Sequence, residues 1–215
     1  MSTAPTQLHE RLHKAYQGMI KYIPEPSYPL LIDLLSQAPI VVKVVNPRAT
    51  KLGDYRPKWQ KTGKPLITIN ADLNPYAFLI TLIHELAHHH TYIAHGNRVA
   101  PHGQEWKSIY QSMAKPFTEK SGIFPDDVLK ALRRYFTATF ASSCADPELY
   151  KVLTRYNSNA SNEVFLEELG EDSVFELNGR IFRKGPLRRK RFVCLELKTN
   201  RNYLVNAVSQ VRKLD

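Results

Sequence analysis

The stretch FLITLIHELAHHHTYIA, residues 78–94, holds four of the chain's eight histidines around a single glutamate. Its length and continuous apolar character read as a helix running from Tyr76 to about Ala94, with Asn74 as its cap, Pro75 at its first position and Gly96 as its stop. On a helix, residues four apart lie about 40° from each other around the axis, so His84 and His88 share one face. Two imidazoles one turn apart can bind the same Zn²⁺, and Glu85, beside the first of them, is placed to act as general base on a water at the metal. The same geometry turns His89 and His90 roughly 140° and 240° away from His84, so they read as polar decoration of the outer side or as supporting contacts. His95 reads as a helix-end histidine, and His9 and His13 as surface residues.

A catalytic zinc takes three protein ligands and keeps one open position. His102, in VAPHGQEW, is the candidate third ligand: it lies fourteen residues after His88 and precedes Gly103 at the start of a further helix. Glu105 is the competing choice, since two histidines and a glutamate also make such a site.

Outward from this helix, TQLHERLHKAYQGMIKY (6–22) has helical periodicity with Thr6 as a candidate cap, and a second short helix is expected over 29–37. IVVKVVN (40–46) and PLITIN (65–70) read as strands, with an irregular β return through ATKLGDYRP between them. GQEWKSIYQSMAKPF and FPDDVLKALRRYF (124–136) read as helices. Around 141–163 the composition turns polar, and NSNASN looks like a linker. Beyond it, SVFEL and RIFRK flank Asn178-Gly179, a two-residue hairpin turn, and the remainder reads as an antiparallel module of three to five strands.

The net charge is +10, and from Leu177 to the end eleven Lys/Arg face only Glu196 and Asp215. Such a balance points to a polyanionic partner or to a solvated basic face. The run Arg188, Arg189, Lys190, Arg191, near Phe192 and Tyr203, is a candidate site for holding nucleic-acid phosphates and stacking bases. Two cysteines, Cys144 and Cys194, suit a reducing compartment and read as small buried hydrophobes. No run approaches the ~18 apolar residues of a membrane span, and no apolar leader precedes the first helix, so a cytoplasmic protein is expected.

The segment HELAHHHTYIAHGNRVAPHGQEWKSIY, with TKLGDYRPKWQKTGKPLITINADLNPYAFLITLIHELAH before it, resembles the SprT-like family of bacterial SprT and eukaryotic Spartan-type zinc metalloproteases. The matching positions are His84, Glu85, His88, His102, Gly103, Glu105 and Trp106, and the likeness covers roughly residues 5–140. It implies an α+β, zincin-like metalloprotease domain over 1–140, a linker over 141–163 and a small basic β module over 164–215. It further implies one catalytic Zn²⁺ on His84, His88 and His102, with Glu85 polarising the water. ITIN would be the edge strand along which a substrate peptide lies extended, and the substrates would be DNA-bound or DNA-crosslinked proteins. Many family members end in a zinc ribbon with two cysteine pairs, which this chain cannot build. The expectation is a ribbon-like module packed instead by Phe175, Phe182, Phe192 and Tyr203. The alternative reading is a DNA- or protein-binding module whose zinc site is structural or weakly active.

Overall fold

The computed structural model describes residues 7–38, 40–48, 50–137, 146–157 and 163–214. Asn74 starts the long helix as the sequence predicts: its side chain accepts a hydrogen bond from Ala77 N–H at 3.0 Å, and Pro75 supplies a first residue that needs no acceptor. The helix ends at Gly96, whose positive φ of 61° and N–H bond to Tyr92 O close the last turn.

The chain divides into two compact units, Met1–Asn157 and Ser158–Asp215. In the first, helices α1 (Gln7–Tyr16) and α2 (Tyr28–Gln37) precede strands β1 (Val41–Val45), β2 (Gly53–Arg56) and β3 (Leu66–Asn70). Helices α3 (Pro75–His95), α4 (Gln104–Glu119), α5 (Asp126–Thr137) and α6 (Pro147–Thr154) follow. The sheet order is β1-β3-β2, with β1 parallel and β2 antiparallel to β3. Helix α3 packs across β2 and β3 and against α4. It is therefore buried around most of its circumference from Ala77 to Ala87, which is why its apolar residues are not confined to one stripe.

This order corrects the expectation for ITIN. Strand β3 bonds to β1 on one side and β2 on the other, and all five of its residues are buried. It has no edge left for a peptide. The free edge beside α3 belongs to β2, GDYR.

The expected linker over 141–163 is also corrected in part. Asp146-Pro147 is a helix start and not a turn: Asp146 accepts from the N–H groups of Glu148 and Leu149, and Arg134 bonds to the same carboxylate. Helix α6 then buries Leu149 and Leu153 in the core of the first unit. Asn74 holds it from the other side, donating to Leu153 O and Asn157 Oδ1, both at 2.8 Å. Thr6, Cys144 and the NSNASN residues 158–162 lie outside the described residues.

The second unit is one antiparallel sheet of six strands, one more than the upper expectation. They are β4 (Glu163–Phe165), β5 (Val174–Leu177), β6 (Arg180–Arg188), β7 (Arg191–Glu196), β8 (Arg201–Asn206) and β9 (Gln210–Leu214), in the order β4-β9-β5-β6-β7-β8. The additional strand is the short β4, which pairs with the last strand, β9, and begins inside the segment read as linker. Asn178 and Gly179 both have positive φ, as a type I′ hairpin turn requires. Phe175 and Phe182 stack at 5.6 Å, and Cys194 is fully buried beside them. Phe192 and Tyr203 pack on the same core. No helix among the described residues is long and apolar enough to cross a membrane.

Candidate metal centre

His84 and His88 stand one turn apart on α3, and the turn before α4 brings His102 to them. His102 takes a positive φ of 59°, unusual for a residue with a side chain, and Gly103 N–H bonds to Ala100 O at 2.9 Å. The three Nε2 atoms converge: His84 to His88 is 3.2 Å, His88 to His102 3.0 Å and His84 to His102 3.2 Å. Three imidazole nitrogens in a triangle cannot all satisfy one another with their few protons. Ligands about 2.0–2.1 Å from a tetrahedral ion would stand about 3.3 Å apart, so the observed spacings fit a shared Zn²⁺ to within a few tenths of an ångström. These three are the one group of His, Cys, Asp or Glu side chains with metal-ligand spacing among the described residues.

The floor of the site is aromatic. Trp106, on the first turn of α4, lies 4.7 Å from the rings of His84 and His102 and 5.2 Å from that of His88, and Tyr110 stacks beneath it. Burial, followed by the charges of the other imidazoles, holds His84 down to about 3 and His88 down to about 4. Burial also lowers His102. The trio is therefore neutral at pH 7, the form in which imidazole donates a lone pair to a metal. Glu105, the competing ligand, is exposed at the rim and outside the trio.

Glu85 is turned toward β2 and is only 8% exposed. Burial, with the nearby Asp54 charge second, raises it to about 7, opposed by a hydrogen bond from the Tyr55 backbone. Leu52 C=O accepts from Asn70 N–H, so alternation along β2 turns the main-chain groups of Gly53 and Tyr55 away from β3. The Glu85 carboxylate thus sits on the free edge of β2, next to the trio, with a carboxyl group balanced between its two protonation states.

His89 is not decoration. It is 4% exposed, and its Nδ1 lies 3.1 Å from the Tyr55 hydroxyl, tying α3 to β2. Sequence geometry placed it correctly away from the trio, but the side it faces is covered by the sheet. The all-round apolar run of α3 was the available signal that this helix has little outer side. His90 is half-buried. His95 closes α3, His9 bonds to Asp33 at 3.1 Å, and the His13 ring meets Tyr28 edge-on.

In the second unit Arg188, Arg189, Lys190 and Arg191 form the tip of the β6–β7 hairpin, all exposed, with Arg188 directly opposite Arg191. Phe192 and Tyr203, expected to stack bases beside them, instead face the core; Lys184 lies over one ring and Arg180 over the other.

Residues 42–124 match the model of the SprT-like family. Residues 42–124 form a SprT-like domain. The match spans β1 to the end of α4 and contains the trio, Glu85, Trp106 and the β2 edge; α5, α6 and the six-stranded sheet lie outside it. Comparison with curated proteins and with solved structures gave no match.

Proposed function

We propose that the SprT-like domain is a zinc-dependent endopeptidase acting on extended protein segments, with Glu85 as general base and His84, His88 and His102 as ligands. The observation that carries this reading is the convergence of three neutral imidazoles beside a carboxyl group poised near neutrality on a free strand edge.

Zn²⁺ held by the trio would supply Lewis-acid activation of water and of the scissile carbonyl. Glu85 takes the proton from the attacking water on a carboxylate oxygen and returns it to the departing amine nitrogen. A carboxyl group with a value near the working pH suits both transfers. The outward N–H and C=O of Gly53 and the outward C=O of Tyr55, whose N–H Glu85 accepts, offer main-chain hydrogen bonds to a peptide laid along β2, which fixes an extended chain while leaving its side chains to be read separately. Trp106 locks the three imidazoles against rotation and excludes water from their inner side.

The finer reading is that the substrates are DNA-bound proteins. It rests on the net charge of +10 and on the β6–β7 tip, where like charges stand directly opposite one another, an arrangement that a polyanion would relieve. The test is cleavage of a DNA-binding protein by the zinc-loaded chain, with and without DNA, beside Glu85→Gln. Cleavage that needs Glu85 and rises with DNA supports the whole reading. Cleavage indifferent to DNA removes its finer half, and equal cleavage by Glu85→Gln removes the mechanism.

A further inference from the structure

A cavity of ≈ 190 Å³ opens between Leu52, just before β2, the turn at Asp72, Leu73 and Asn74, helix α3 and helix α6, with none of the trio in its lining. Its walls include Leu52, Ala77, Ile80, Thr81 and Leu153. We infer that this cavity receives an aliphatic substrate side chain, of the size of Leu, Ile or Met, on one side of the scissile bond. The inference rests on the peptidase reading above and names what that site selects.

Position comes first. Thr81 lies four residues before Glu85 on the same face of α3, about 6 Å along the axis. A methyl built on Gly53 would meet both of them, at 2.8 Å from Thr81 Cγ2 and 2.7 Å from Glu85 Oε1. Leu52, the residue immediately before β2, is already a wall of the cavity, and one extended residue spans about 3.3 Å. A peptide paired to the edge of β2 with its scissile bond at Glu85 therefore carries a neighbouring side chain to the mouth of the cavity. At the other end of β2 a more open hollow of ≈ 300 Å³ lies against Tyr55, His88, Tyr92 and Trp106, so the reacting centre stands between the two.

Size and chemistry define the occupant. An apolar cavity of about 150 Å³ takes a molecule as large as benzene, so this one holds a branched aliphatic side chain with little room to spare. Leu52, Leu73, Ala77, Ile80 and Leu153 give it an apolar surface, and Asp72, Asn74, Tyr150, Thr154 and Asn157 complete the lining. The wall is also fixed in advance: buried Asn74 clamps Leu153 O and Asn157 Oδ1 while capping α3, which holds α6 against the end of the helix that carries Glu85. Helix α6 lies outside residues 42–124, so the outer wall comes from a part of this chain that the SprT-like match does not include.

The experiment measures equilibrium binding to the zinc-loaded Glu85→Gln protein, which does not depend on turnover. Peptides of one host sequence carry a single Leu, Ala or Lys moved through successive positions. Leu should bind more tightly than Ala or Lys at one position by roughly 10–200-fold, the discrimination a hydrophobic pocket gives for small differences in apolar size. Ala77→Leu, which fills the cavity, should collapse that ratio to near one. Leu153→Ala, which enlarges it, should move the preference toward Phe. A Leu preference untouched by both variants, or no preferred position, overturns the inference. If Ala77→Leu fails to fold, Leu153→Ala decides alone. Incubating the same peptides with the active chain separates the two readings: peptides bound with the predicted preference but never cleaved defeat hydrolysis and leave the pocket standing.

Discussion

Gly53 lies so close to Glu85 that a methyl group there would stand 2.7 Å from Oε1 and 2.8 Å from Cγ. Only a hydrogen at this position lets the carboxylate lie against the strand edge and accept the Tyr55 backbone bond. Gly53→Ala should push Glu85 off the edge and lower turnover by at least tenfold. Overpacking should cost about 1–3 kcal/mol of stability. Zinc content should be unchanged, because the atoms nearest that methyl belong to Glu85 and Thr81 and not to the trio. Parallel kinetics and metal analysis check this; zinc loss matching activity loss would place Gly53 in the metal site instead.

The Tyr55–His89 bond crosses from β2 to α3 at 3.1 Å. Tyr55→Phe leaves a buried ring nitrogen without its partner, a loss of about 1–3 kcal/mol. A denaturant midpoint that falls by that amount, with zinc still bound, is the expected result. An unchanged midpoint would mean the pair contributes no net stability.

Trp106 contacts all three imidazoles and is 1% exposed. Trp106→Ala should destabilise the domain by about 3–5 kcal/mol. Where the domain still folds, zinc should be held more weakly, since the imidazoles lose the surface that orients them. Chelator competition against wild type measures this, and equal zinc retention would assign Trp106 to the core alone.

In the six-stranded sheet, hydrogen bonds from Arg180 at 2.5 Å and from Thr199 hold Glu196 down to about 2, against an ordinary value of 4.5. A carboxylate depressed on folding stabilises the sheet fully above its unfolded value, and the contribution drains away as pH falls from about 4.5 toward 2. Denaturant midpoints read from NMR signals of β6–β8 should therefore drop across that window. Glu196→Gln should show a flatter dependence; an identical pH profile would remove Glu196 as its source.

Local signals made much of this legible in advance. The period and caps of residues 74–96 gave α3, and i, i+4 geometry gave His84 and His88. Asn178-Gly179 gave the hairpin between β5 and β6. Sheet order was not legible, because apolar ITIN reads the same in a central strand as at a buried edge, and only pairing distinguishes them. Helix α6 was hidden because Asp-Pro serves equally as a turn and as a helix start. For His89 the choice between decoration and a supporting contact stayed open, since helix geometry tells which way a residue points, not what another element places there.

The proposed centre holds one zinc ion on a trio completed from outside α3, at His102. Metal analysis of the purified chain beside His102→Ala tests it most directly. The expected result is about one Zn²⁺ per wild-type chain and marked loss in His102→Ala, with the fold retained by circular dichroism. Equal zinc in both proteins, or none in the wild type after zinc loading, would contradict it.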